Sequence, residues 1–172
     1  EKKDSTGICF IGERPFPSFL ENYINDQPGK IICDEGKEVG LHRGLSFYTL
    51  GQRQGLGIGG LKNYDERPWY VIDKNLSKNT LIVAQGNDND NLFETKLSVN
   101  SINWIFKPDL SESIKLKAKI RYRQDDQECI LSKKDNCYSV EFKKPQRAIT
   151  PGQSIVFYQN DLCLGGGEIY KS

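Results

Sequence analysis

Methionine is missing altogether from the 172 residues, and residue 1 is Glu. A chain without a start residue reads as a processed protein or a piece of a longer one, and a piece is the expectation here. Long apolar runs are also missing; residues 81–84 are typical of the longest. That excludes a membrane-spanning helix and a signal-peptide core. Histidine occurs once, at His42, and the five cysteines (Cys9, Cys33, Cys129, Cys137, Cys163) form no CxxC pair. An odd count without a secretory signal argues against a disulfide framework, and His42 has no metal-ligand spacing to any of them. The thiols are read as reduced and cytoplasmic, mostly buried as small apolar groups. A surplus of either charge is lacking too, with 24 Lys+Arg against 23 Asp+Glu.

What is present suffices for a fold. The hydrophobic share is 37% and the aromatic share 10%, which excludes a mostly disordered chain. The charge balance is uneven along the chain. Residues 1–90 carry 11 basic and 13 acidic side chains, residues 91–172 carry 13 and 10. The asymmetry is mild and points only weakly to a polyanionic partner.

Helix signals are nearly absent. One segment, 16–26, places Phe16, Phe19, Leu20, Tyr23 and Ile24 on one helical face, with Pro17 in the first turn and Pro28-Gly29 as a stop. The remainder predicts strands at 30–34, 46–50, 69–73, 80–85, 97–106, 114–124, 128–132, 138–143, 154–159 and 163–170, separated by turn formers. Regularly spaced short strands predict a barrel or sandwich in the second half. The polar run 85–91 predicts a linker. The fold class is therefore mainly β: a small α+β domain followed by an antiparallel β-barrel.

Three segments carry candidate chemistry. Residues 114–123 read I-K-L-K-A-K-I-R-Y-R. As a strand they place Lys115, Lys117, Lys119, Arg121 and Arg123 on one face and Leu116, Ala118, Ile120 and Tyr122 on the other. Cations at about 6.6 Å intervals match a nucleic-acid backbone, and a solvated outer barrel face fits equally. Asp125, Asp126 and Glu128 stand to cancel part of the field. Residues 55–60 satisfy G-x-G-x-x-G, but Pro68 and the turn-rich stretch before it leave no room for the long helix a dinucleotide site requires. A flexible or close-packing loop is expected instead. With Arg53 before it and Arg43, Lys62 and Arg67 around it, such a loop suits an RNA backbone. Cys9, between Gly7 and Gly12, fits an exposed thiol open to nucleophilic or persulfide chemistry, or a buried structural one.

The string D-S-T-G-I-C-F-I-G at residues 4–12 resembles the segment around the persulfide cysteine of the bacterial tRNA-specific 2-thiouridylases, the MnmA/TrmU family. The resemblance continues through Gln27-Pro-Gly-Lys30, His42-Arg-Gly-Leu45, Tyr48-Thr-Leu-Gly-Gln-Arg53, residues 55–60, Pro68-Trp-Tyr-Val71, Arg121-Tyr-Arg-Gln124, Thr150-Pro-Gly-Gln-Ser154 and Leu162-Cys-Leu-Gly-Gly-Gly167. It implies three parts: residues 1–12 as the tail of an ATP-pyrophosphatase domain, 13–90 as a central domain, and 91–172 as the C-terminal barrel. The family's S-G-G-x-D-S phosphate loop and its partner cysteine do not occur in these residues.

The resemblance implies a mechanism for the whole enzyme. ATP and Mg²⁺, bound by the N-terminal domain, adenylate the C2 oxygen of the wobble uridine (position 34) of tRNA. A persulfide on Cys9, or sulfide released from it, then attacks C2 and expels AMP, and the partner cysteine forms a disulfide with Cys9 as sulfur is delivered. Sulfur arrives from a cysteine desulfurase or a relay protein. The positions matching Arg121, Tyr122 and Gln153 are implied to contact tRNA. Lys119 and Arg123 on the basic strand and Arg53 in the glycine loop join them as candidates. The family usually has Lys where this chain has Gln54. The competing expectation is a non-catalytic RNA-binding β-barrel module.

Overall fold

The structure is a computed structural model and describes residues 23, 27–61, 64–135 and 137–170. The cysteine Cys9 and, apart from Tyr23, the helix expected over 16–26 up to Asp26 lie outside the described residues. The chain divides between Asn89 and Asp90 into two compact units.

The first unit is a mixed four-stranded sheet. Its strands are β1 (Gly29–Cys33), β2 (Glu38–His42), β3 (Trp69–Asn75) and β4 (Thr80–Gln85), in the order β2-β1-β4-β3. β1 and β4 run parallel, and the other neighbours run antiparallel. Val71, Leu81 and Val83 are fully buried beside Ile31 and Cys33. Burying an aliphatic side chain of this size contributes about 1.5–3 kcal/mol. The turn from β3 to β4 puts Asn79 in the left-handed region at φ 47. Its side-chain Nδ2 donates to the carbonyls of Gln27 and Pro28 at 3.2 and 3.0 Å, which fixes the entry to β1. Gly29 is required at that entry, because a Cβ there would collide with the Asn79 carbonyl.

Two expectations fail here for local reasons. Residues 46–50 are no strand; a 3-10 turn at Leu45–Phe47 follows Gly44. β2 was invisible because Gly40 in its middle reads as a turn former, whereas the glycine is needed where Ile58 packs against the strand.

The second unit is a closed barrel. Its strands are β5 (Phe93–Trp104), β6 (Ile114–Lys119), β7 (Gln127–Lys134), β8 (Cys137–Arg147), β9 (Ser154–Gln159) and β10 (Leu162–Tyr170). They run in the order β10-β5-β8-β7-β6-β9, with β9 closing onto β10, and every pairing is antiparallel. Alternate residues point inward, so Leu97, Val99, Leu131, Val140, Ile155 and Phe157 fill the interior, as period-two strands require. The expected antiparallel barrel is what forms, and the chain as a whole is mainly β.

Candidate RNA-contacting surface

The basic strand is shorter than its sequence suggests. β6 ends at Lys119, and Gln124 N–H then donates to Arg121 O at 3.2 Å to close a turn over 121–124. Only Lys115, Lys117 and Lys119 therefore belong to the outward stripe; Arg121 and Arg123 sit in the turn. Alternation holds inward through Leu116, Ala118 and Ile120, all buried, but Tyr122 is 66% exposed. Its expected inward placement is corrected, because a turn abolishes the two-residue period.

The stripe is also partly neutralised. Lys119 Nζ lies 3.0 Å from Asp126 and 5.6 Å from the Tyr158 ring centroid. Hydrogen bonding to Asp126 raises its pKa above the usual lysine value. Glu128 pairs with Lys143 at 2.5 Å and sits opposite Lys117.

The Arg121 turn meets a second loop at the same barrel end. The β6–β9 register runs from Lys117 opposite Tyr158 to Lys119 opposite Val156. The residues beyond β6 therefore face those that lead into β9, including Gln153. The connection is direct: Arg121 Nη2 donates to Ala148 O at 3.1 Å, and Thr150 Oγ1 donates to the same oxygen at 2.9 Å. Gln153 N–H in turn donates to Thr150 O at 3.2 Å. Ala148 holds a left-handed φ of 53, a conformation costing a non-glycine residue about 1–2 kcal/mol. Partial burial, then the neighbouring Arg147, pushes the Arg121 guanidinium's pKa downward.

The expected residues Lys119, Arg121, Tyr122, Arg123 and Gln153 thus share one end of the barrel. Sequence reasoning missed Gln124, Gln146, Arg147 and Ala148. Of these only Gln124 had a signal, as the last letter of Arg-Tyr-Arg-Gln.

Arg53 belongs to the other unit. It is exposed at the rim of a pocket of about 340 Å³, lined by residues 55–61 and 64–69. The glycine loop is close-packed at alternate positions: Leu56 and Ile58 are buried in the unit's core, while Gly55, Gly57 and Gly59 stay exposed. The start of the loop is tied to β3, with Gly51 N–H donating to Val71 O at 2.8 Å and Val71 N–H to Gln52 O at 3.0 Å. Arg67, expected among the basic residues around the loop, is held by Asp65 at 2.6 Å. No helix follows the loop among the described residues, so it makes no dinucleotide cradle.

His42 is 2% exposed, with Nε2 3.1 Å from Asn79 O. Among the described residues no cluster of three His, Cys, Asp or Glu is arranged to hold a metal ion. Cys33 and Cys129 are buried. Burial pushes the Cys129 thiol up to about 12, which makes it inert.

Comparison with known proteins agrees with this architecture. Residues 17–85 match the family described as tRNA methyl transferase PRC-barrel domain, and residues 94–169 match that described as Aminomethyltransferase beta-barrel domain. The tRNA-specific 2-thiouridylase MnmA of Pseudomonas fluorescens (strain Pf0-1) is 56% identical over 169 residues, covering 98% of this chain and 45% of that protein. The same-named protein of Stutzerimonas stutzeri (strain A1501) is 55% identical over 172 residues, covering 100% and 46%. That of Hahella chejuensis is 55% identical over 169 residues, covering 98% and 46%. The chain spans a little under half the length of these relatives. With both barrel-type domains matched in order, and more than half of its residues shared from end to end, the chain belongs to the tRNA-specific 2-thiouridylase family.

Proposed function

We propose that this chain is the tRNA-gripping and sulfur-bearing portion of a tRNA-uridine 2-sulfurtransferase. The observation that carries the reading is the whole-length identity to relatives named as tRNA-specific 2-thiouridylases. In this reading the barrel end presents Arg121, Tyr122, Arg123 and Gln153 to tRNA. Lys119 lends its charge from behind Asp126, and Arg53 approaches the RNA from the other unit. Cationic side chains on exposed turns suit a phosphate backbone, and an exposed tyrosine suits stacking on an unpaired base.

Cys9 is the sulfur carrier in this proposal. A persulfide there, loaded by a cysteine desulfurase or a relay protein, attacks the adenylated C2 of the wobble uridine; the oxygen leaves with AMP, and the partner cysteine breaks the persulfide S–S bond by forming a disulfide with Cys9. Persulfide sulfur is a strong nucleophile at neutral pH, which suits attack on an activated ring carbon. The described residues do not fit ATP or Mg²⁺: the glycine loop has no helix after it, and no acidic cluster is built for a divalent ion. In this proposal ATP and Mg²⁺ belong to the N-terminal domain that the family resemblance implies, and this chain is expected to bind tRNA without modifying it.

Cys9→Ser in the full-length protein is expected to abolish 2-thiouridine while leaving tRNA binding near wild type. Mass spectrometry of the wobble nucleoside reads the first, and a filter-binding titration the second. Thiolation near the wild-type level would sink the catalytic assignment. It would leave the second reading, a non-catalytic RNA-binding barrel, which the Arg121 turn also favours.

A further inference from the structure

The turn that carries Arg121 and Tyr122 is built on two bonded amide side chains, the half-buried Gln124 and the buried Gln146. β6 leaves its ladder at Lys119, so the next backbone donor, Ile120 N–H, needs another partner while its side chain stays buried at 4% exposure. Gln124 Oε1 accepts that N–H at 3.2 Å. With its oxygen committed inward, Gln124 offers Nε2 to Gln146 Oε1 at 2.5 Å. Gln146 is 3% exposed, and its own Nε2 donates to Lys144 O at 2.7 Å. Each amide orientation is dictated by the next, so the chain of bonds runs one way from the turn into β8. A second tie, Arg121 Nη2 to Ala148 O at 3.1 Å, lands just past the end of the same strand.

A barrel end of this size does not need two amides to be filled. Replacing both partners of a buried hydrogen bond by apolar groups of similar shape is close to neutral for stability. What apolar groups cannot do is hold Ile120 N–H and fix where the turn points, because dispersion contacts have no direction. The pair therefore supplies orientation to the turn more than stability to the barrel.

We infer that Gln124 and Gln146 are positioning residues that lock the 121–124 turn so that Arg121 and Tyr122 meet tRNA in one geometry. The inference rests on the tRNA reading given above and deepens it. Gln146 acts from inside the barrel and touches no RNA; its effect passes through Arg121.

The test is a mutant cycle on this chain, with an unmodified tRNA transcript carrying a wobble uridine as the probe and binding titrated over a range of salt. The double variant Gln124→Met/Gln146→Leu leaves Ile120 N–H without its acceptor, so it is expected to melt somewhat earlier than wild type while staying folded at the titration temperature. It is expected to bind tRNA about tenfold more weakly, with a salt slope shallower by about one unit, as Arg121→Ala does alone. Adding Arg121→Ala to the double variant is then expected to change nothing further, because the contact is already lost. A barrel that merely tolerates the two amides predicts otherwise. Wild-type binding by a well-folded double variant overturns the positioning role, and so do losses that simply add to that of Arg121→Ala. Should the double variant be unfolded at the titration temperature, Gln124→Met alone, changed at the half-buried rim, enters the same cycle with the same two outcomes. If Arg121→Ala itself leaves affinity and slope unchanged, or the wild-type chain does not bind the transcript, the tRNA reading fails and the positioning role falls with it.

Discussion

The two units assemble their cores by different routes. In the barrel cluster, 12 of 14 buried residues lie on strands; the exceptions are Ile120 and Ile149. In the mixed-sheet cluster, four of 11 lie between strands: Leu45, Tyr48, Leu56 and Ile58. The barrel is thus a scaffold whose loops contribute little to its interior, while the mixed-sheet unit depends on its longest loop to finish its core. A loop that must supply core residues has less freedom to change than one that does not. On this comparison the barrel end is the better place for a contact surface that varies, and the glycine loop is the better place for a fixed one.

The largest expected effect breaks the barrel alone. Phe157→Ala removes a fully buried ring from its centre and is expected to cost about 3–5 kcal/mol. Denaturation followed by hydrogen exchange should show lost protection in β6, β9 and β10, with β1 and β4 retaining theirs. Ile58→Ala is the matching change in the mixed-sheet unit, expected to cost about 2–4 kcal/mol. If the loop completes that core, protection of β1, β2 and β3 falls together; if only residues 51–60 loosen, the loop is an ornament and the comparison fails.

The contact surfaces come next. Arg121→Ala is expected to weaken tRNA binding about tenfold and to make the salt slope shallower by about 0.9. Lys119→Ala should matter less, because Asp126 already holds its ammonium group at 3.0 Å. A titration in which Lys119→Ala equals Arg121→Ala would return the strand, rather than the turn, to the centre of the interface.

The smallest effect is a matter of pH. Burial raises the Cys129 thiol from 9.0 to about 12 in the folded chain. The unfolded chain ionises first as pH rises. The contribution is therefore whole below about pH 9 and is lost as pH climbs toward 12. Denaturant midpoints of wild type and Cys129→Ala should converge over that window. A constant difference would mean that the thiol is not shielded.

Much of the barrel was legible because its strands alternate cleanly. β9 matches its expected limits, Ser154–Gln159, where alternating apolar residues are bounded by turn formers; β4 of the mixed sheet matches at Thr80–Gln85 as a continuous apolar run between turns. The misses came where a single residue type carries two meanings. Gly40 reads as a break and is a packing requirement in β2. Lys and Arg at every second position predict a strand through Gln124, but the pattern cannot show that Gln124 will turn back to take up Ile120 N–H. The same hydrogen bond settles Tyr122, which alternation sends inward and the turn sends out. Arg121 was visible from its charge and from the family resemblance. Gln146 was not, since one buried glutamine in a polar stretch has no pattern of its own. Its role exists only once β8 and the turn meet.

The closed strand order has one more consequence. With β9 bonded to β10 and β10 to β5, the sheet has no first or last strand and no unpaired row of backbone donors and acceptors. A partner cannot be gripped by adding a strand to it. Recognition is left to the loops at the two ends, which can change length and sequence without opening the ring. Closure in this way separates heritable stability from heritable specificity: the strands can be kept while the ends are rewritten.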